Sequence, residues 1–365
     1  MVLILREFLA GRVVLHEGDC FAILQTLDGN SVDSVVTDPP YHLTSIVKRF
    51  AGANDKSQLE HSAGKDLSTI NAAAFKRLSK GFMGKQWDGG DIAFRVEVWA
   101  EALRVLKPGG HMVAFSGTRT YHRMVCAIED AGFEIRDQLA WVFGSGFPKS
   151  HNAGNGWGTA LKPAWEPICL ARKPLSEATV AANVLRWGTG AINVDGCRIP
   201  KANGDRREYG VNGDEPSLAG AGASGTMGRV AYEPDARGRW PANLCHDGGE
   251  EALRYFYTAK ADGDDRLGSK HPTVKPLDLM QWLCRLVTPT GGVVLDPFAG
   301  TGTTGEAAYR EGFRAVLIER EAEYQDDIAR RMALVLDGPV TRKNASTKAR
   351  GREAHAGPLF AEGGR

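Results

Sequence analysis

Two short turns carry residues able to do chemistry. The first lies in the run 31–44, SVDSVVTDPPYHLT, where an apolar stretch ends in Asp38 and continues into Pro39, Pro40 and Tyr41. Each proline fixes φ at about −65° and lacks an N–H, and each pushes the residue before it toward extended geometry. The turn is therefore stiff and presents acceptors only, the Asp38 carboxylate and the Pro39 carbonyl. Tyr41 adds a flat, amphipathic face. Two acceptors and a stacking surface suit an exocyclic amine on a planar base. The second turn is the run 295–308, LDPFAGTGTTGEAA. An apolar strand delivers Asp296 and then a glycine-rich turn that opens a helix. Gly300, Gly302 and Gly305 let the backbone approach a ligand closely, and the helix N-terminus offers N–H groups. The turn lacks the lysine of a P-loop and fits dinucleotide spacing poorly. Glu319, about twenty residues further on, ends the next strand, where an acid can hold two ribose hydroxyls. The site suits a nucleoside.

Alternating strands and helices must position these turns. Residues 12–19 read as a strand, followed by a helix through Phe21, Leu24 and Leu27. The run 33–38, with Val35 and Val36 at its centre, reads as a central parallel strand covered on both faces. Residues 45–90 show no steady period and read as a mobile loop. Residues 94–110 form an amphipathic helix stopped by Pro108 and a glycine pair. A strand at 111–115, a helix at 121–131 and extended runs at 133–143 and 165–172 follow. The pattern fails between about 176 and 270. It returns as a helix at 276–287, a strand at 293–298, a helix from Thr303, a strand at 314–319 and a helix to about 336. The expectation is one α/β domain built from both ends of the chain around an irregular central insertion.

Composition narrows the class. The chain has 365 residues, 42% hydrophobic and 24% charged, which is ordinary globular usage. Its 45 basic and 44 acidic residues nearly cancel, so a nucleic-acid partner must be met by a local patch. The six cysteines form no C-x-x-C pair, which suits a reduced, cytoplasmic protein without a structural metal. No membrane-length apolar run occurs.

Asp38 to Tyr41 (DPPY) together with the run 296–304 (DPFAGTGTT) resembles the DNA amino-methyltransferases that use S-adenosylmethionine. The catalytic motif precedes the cofactor motif, as in the beta group of N6-adenine and N4-cytosine enzymes. The run 271–283, HPTVKPLDLMQWL, and the run 18–20, GDC, add to the likeness. The resemblance implies a doubly wound, mostly parallel sheet of the class I methyltransferase type, circularly permuted. Residues 1–175 would be the catalytic half, 176–268 a target-recognition insertion, 269–336 the cofactor half and 337–365 a disordered tail. It implies that Asp38, Pro39, Pro40 and Tyr41 are catalytic. Phe298, Gly300, Gly302 and Thr303 would line the cofactor, with Asp296 on its methionine amine and Glu319 on its ribose. Asp19 would take the adenine amine, and Thr273 and Lys275 the carboxylate end. The implied reaction is methyl transfer to the N6 amine of an adenine flipped out of duplex DNA. N4-cytosine is the alternative, since an initial aspartate goes mostly with adenine in this family. An RNA or protein amide methyltransferase fits less well, because those more often carry Asn before the prolines and the opposite motif order.

Target recognition is expected in the insertion, where Arg198, Lys201, Arg206 and Arg207 form one basic cluster and Arg237 and Arg239 another. Arginines there contact phosphates or read guanine edges. Double-stranded DNA is the expected partner, and the resemblance allows a homodimer and a companion restriction endonuclease.

Overall fold

A computed structural model describes residues 4–41, 91–143, 152–200, 237–246, 257–258, 263–269, 271, 273–338, 341–342 and 344. In chain order the strands are β1 (Ile4–Phe8), β2 (Val13–Glu17), β3 (Val32–Thr37), β4 (Leu106–Phe115), β5 (Glu134–Val142), β6 (Asn152–Gly154), β7 (Trp157–Gly158), β8 (Trp165–Arg172), β9 (Leu244–His246), β10 (Tyr257–Thr258), β11 (Val293–Asp296) and β12 (Arg314–Glu319). The helices are α1 (Cys20–Leu24), α2 (Val96–Val105), α3 (Tyr121–Asp130), α4 (Val180–Trp187), α5 (Leu277–Val287), α6 (Thr303–Arg310) and α7 (Ala322–Ala333).

One sheet runs in the order β1-β2-β12-β11-β3-β4-β8-β5-β9-β10, so strands from the two ends of the chain interleave. From β2 to β4 all neighbours are parallel, while β8 runs antiparallel to both β4 and β5. The carboxyl ends of β2, β12, β11, β3 and β4 therefore share one edge with the amino end of β8. Every residue of β3 is buried, and alternation explains why. Val36 joins Val13, Val113 and Val294 under α5, α6 and α7, whereas Val35 joins Met112, Ala114 and Leu295 under α1, α2 and α3.

Several expectations need correction. Helix α2 ends at Val105 and the chain enters β4 at Leu106, ahead of the predicted stop at 110. Pro108 disfavours helical geometry at Lys107. Gly109 then passes so close to Asn183 that a Cβ would lie 2.5 Å from its Nδ2. The segment 176–268 is not wholly irregular. Thr179 caps α4 by accepting from the Ala182 N–H at 3.1 Å, and Gly188 closes the helix in the left-handed region. Strand β9 pairs with β5, and β10 with β9, so both belong to the main sheet. The tail is anchored at its start, because Arg342 pairs with Glu306 at 2.8 Å. The expected loop at 45–90 and the basic residues Lys201, Arg206 and Arg207 lie outside the described residues. No described helix is long and apolar enough to cross a membrane.

Buried charge ties the glycine-rich turn to its surroundings. Arg331 is 1% exposed and donates to the Thr301 carbonyl at 2.8 Å, to Glu306 Oε2 at 2.8 Å and to the Asp265 carbonyl at 2.5 Å. Removing one partner of a buried pair strands the other, which costs roughly 3–5 kcal/mol. Arg310 and Arg342 also reach Glu306, so Arg331→Met should lie at the low end, about 3 kcal/mol, in urea unfolding. A loss below about 1 kcal/mol would show that the other two arginines suffice.

Candidate active site

The parallel register places Val294 opposite Ser34 and Leu295 opposite Val35, so Asp296 ends its strand at the same edge to which β3 delivers Asp38. Asp296 is buried, and its Oδ1 accepts from Thr37 Oγ1 at 2.7 Å and the Phe298 N–H at 3.0 Å. Its Oδ2 accepts from Thr304 Oγ1 at 2.5 Å. Burial pushes the Asp296 carboxyl up to about 6, against the hydrogen bonds that favour its ionised form. At the end of β12, Glu319 accepts the N–H of Gly300 on Oε2 and that of Glu321 on Oε1, each at 2.8 Å. Burial raises this carboxyl to about 7, with backbone hydrogen bonds again opposing. The Gly18 N–H bonds the Glu319 carbonyl at 2.9 Å. That bond brings Asp19, which caps α1 through the Ala22 N–H, to the same end of the sheet.

These residues line one cavity of ≈ 460 Å³, within the range of small-molecule sites. Asp19, Asp38, Pro39, Pro40, Tyr41, Thr273, Lys275, Asp296, Phe298, Gly300, Thr303 and Glu319 all face it. Gly302 does not line it. With φ at 77°, Gly302 caps α6, and a Cβ there would meet Ile328 Cγ1 at 3.0 Å. Its role is close packing of α6 rather than ligand contact.

Around Asp38 the structure supplies partners that the motif alone does not announce. Asp38 Oδ1 accepts from the Tyr41 hydroxyl at 2.8 Å, and Oδ2 pairs with the Lys275 ammonium at 2.7 Å. Lys275, predicted at the carboxylate end of a cofactor, thus pairs with Asp38. Glu166, from the start of β8, lies 3.0 Å from the same ammonium and 3.0 Å from the Tyr41 hydroxyl. Burial alone would lower the Lys275 ammonium, but Asp38 and Glu166 more than offset it and hold it above the ordinary lysine range. Burial raises the Tyr41 phenol well above its ordinary value, and the two carboxylates add to the rise. Glu166, His271, Arg95 and Arg320 also line the cavity and were missed in the sequence. An acid opening a buried strand was the available signal for Glu166, and it is visible only once β8 is known to run antiparallel.

The predicted DNA contacts fare differently. None of Arg198, Arg237 and Arg239 lines the cavity. Arg198 is 8% exposed at its side chain and pairs with Asp195 at 2.8 Å. Arg237 also reaches Asp195, at 2.5 Å, and Arg239 exchanges backbone hydrogen bonds with Ile199.

A sequence model of a family described as DNA methylase matches residues 32–330. The type II methyltransferase M.HindIII of Haemophilus influenzae is 28% identical over 318 residues, covering 80% of this chain and 86% of its own length. The type II methyltransferase M.HinfI of the same organism is 23% identical over 329 residues, 88% of this chain and 69% of its own. Among solved structures, the PvuII DNA methyltransferase, described as cytosine-N4-specific, shares the fold. Its TM-score is 0.51 at 16% identity, over 93% of this chain and 92% of its own.

The two raised acids set a pH dependence. A carboxyl raised on folding favours the protonated folded state, so its contribution to stability is fully present below about pH 4 and lost as pH climbs through the folded value. For Asp296 that value is about 6 and for Glu319 about 7. Glu319→Gln should flatten the decline in the urea midpoint between about pH 5 and pH 8 relative to the parent protein. Parallel curves for the two proteins would mean that Glu319 is ionised throughout.

Proposed function

The chain belongs to the DNA methylase family and is an S-adenosylmethionine-dependent DNA methyltransferase; on that premise we propose that it methylates the N6 amine of an adenine flipped out of duplex DNA. One observation carries the reading. The acceptor end of β3, with Asp38 and the Pro39 carbonyl, opens into the same cavity as the buried acids Asp296 and Glu319.

The cradle fits a nucleoside that also carries an ammonium. Asp296 is a buried acid whose three hydrogen bonds come from neutral donors, so its raised proton affinity marks a place for a cation. Each Glu319 oxygen takes one backbone N–H and keeps a lone pair for a ribose hydroxyl. Asp19 and Phe298 line the cavity where the adenine of such a ligand would lie, and Thr273 and Thr303 add hydroxyls. When bound, S-adenosylmethionine supplies a methyl group on a sulfonium, whose C–S bond breaks as the target nitrogen attacks.

Asp38 and the Pro39 carbonyl accept the amino hydrogens, which favours a pyramidal nitrogen and stabilises the positive charge that grows on it. The stiff diproline turn fixes both acceptors before the base arrives, so positioning supplies part of the acceleration. Direct transfer is supported by the cysteines. Burial pushes the thiols of Cys20, Cys169, Cys197 and Cys245 up to about 12, leaving little thiolate for covalent catalysis. Lys201, Arg206, Arg207, Arg237 and Arg239 belong to the same proposal as phosphate or base contacts.

Asp38→Ala should lower single-turnover methyl transfer by roughly 100-fold or more, the scale of a lost transition-state hydrogen bond. Cofactor affinity should be nearly unchanged, and near-normal turnover would remove Asp38 from the mechanism. Sequencing-based detection of the modified base on a plasmid then tests the adenine assignment, and N4-methylcytosine would replace it. Glu319→Ala should weaken S-adenosylmethionine binding by about 1.5–3 kcal/mol in calorimetry. Equal affinity would displace the ribose from β12.

A further inference from the structure

The acceptor on which transfer depends already holds a cation. The Lys275 ammonium lies 2.7 Å from Asp38 Oδ2, where a fixed positive charge opposes the charge that must develop on an amine bonded to the same carboxylate. Lys275 is 5% exposed, and its ammonium sits 4.8 Å from the Phe115 ring centroid and 5.3 Å from that of Tyr41. It is therefore held by carboxylates and ring faces rather than by water. Glu166 Oε2, 3.0 Å away, is the second carboxylate on that ammonium. The Tyr41 hydroxyl lies between the two acids, 2.8 Å from Asp38 Oδ1 and 3.0 Å from Glu166 Oε2, and accepts from Lys275 at 3.0 Å. Asp296 is the further acid whose charge couples to Asp38.

We propose that Glu166 is a positioning residue for methyl transfer: it shares the Lys275 ammonium with Asp38 and takes it over when the target amine engages Asp38. The inference rests on Asp38 being the amine acceptor. With both acids ionised the cluster keeps one net negative charge toward the amine, whereas without Glu166 the ammonium would neutralise Asp38 alone. Displacement of Lys275 from Asp38 then costs little, because the ion pair moves from one carboxylate to its neighbour instead of breaking in a buried site. Glu166 also fixes Tyr41 by accepting at its hydroxyl, which keeps the ring at the rim of the cavity.

The test is single-turnover transfer to duplex DNA by Glu166→Gln, Glu166→Asp and Lys275→Met over about pH 5–9, with cofactor affinity measured separately. Glu166→Gln should slow transfer by about 10-fold or more, leave cofactor affinity unchanged and be partly rescued in Glu166→Asp. The acid limb of the pH–rate profile gives the discriminating readout. Removing the anion should move that limb to lower pH, because a neighbouring carboxylate opposes and the Lys275 ammonium favours negative charge in the cluster. Removing the cation in Lys275→Met should move it to higher pH. A wild-type rate in Glu166→Gln, or limbs that stay fixed or move together, overturns the proposal. The parent enzyme and Asp38→Ala, assayed in the same series, separate the two readings. Loss in Asp38→Ala with normal Glu166→Gln overturns only the role of Glu166, whereas normal Asp38→Ala overturns both.

Discussion

The parallel pairing of β3 with β11 is the constraint from which the site follows. It sets two strands from distant parts of the chain in one register, so that Thr37 Oγ1 reaches Asp296 Oδ1 at 2.7 Å. Asp38, the next residue, is then delivered to the same edge as the glycine-rich turn. Because β12 continues the parallel series, Glu319 arrives there too, and its side chain clamps the Gly300 N–H. The stiff turn after Asp38 and the glycine-rich turn thus share an edge and one cavity. This is the general position of ligands in open α/β sheets.

Buried charge gives the edge its character. Asp38, Glu166, Asp296 and Glu319 all face the cavity, as does Lys275, whose ammonium goes to Asp38 and Glu166. The two pairs of acids therefore differ. Asp296 and Glu319 have only neutral hydrogen-bond donors in the contacts described above and are raised by burial, whereas Asp38 and Glu166 share a cation. Separating acids that await a ligand from acids that already hold a charge lets one cavity serve two partners of different chemistry.

Arg331 secures the glycine-rich turn, whose Gly300 lines the cavity. It joins Thr301 of the turn, Glu306 of α6 and the carbonyl of Asp265. A glycine-rich turn is entropically costly to order, and here a buried guanidinium with several acceptors fixes it.

Much of this was legible in the sequence because it is local. The two prolines after Asp38 dictate a stiff acceptor turn whatever surrounds them, and the β-branched runs centred on 35–36 and 293–295 announce strands. Asp296 and Glu319 could be named because each ends such a strand. Short strands such as β9, three residues long, carry too little periodicity to be read. Pro108 and the glycine pair mark a stop for α2, but the chain is already extended from Leu106, a boundary set by the pairing of β4 with β3. The place of Glu166 and the pairing of Lys275 with Asp38 were decided only in three dimensions. The antiparallel turn of β8 brings residue 166 to an edge otherwise made by strand ends, and the approach of residue 275 to Asp38 bridges a wide gap in sequence. Charges so far apart along the chain find each other through burial, since a lysine taken from water must end beside a carboxylate. No spacing in the sequence records which carboxylate that will be.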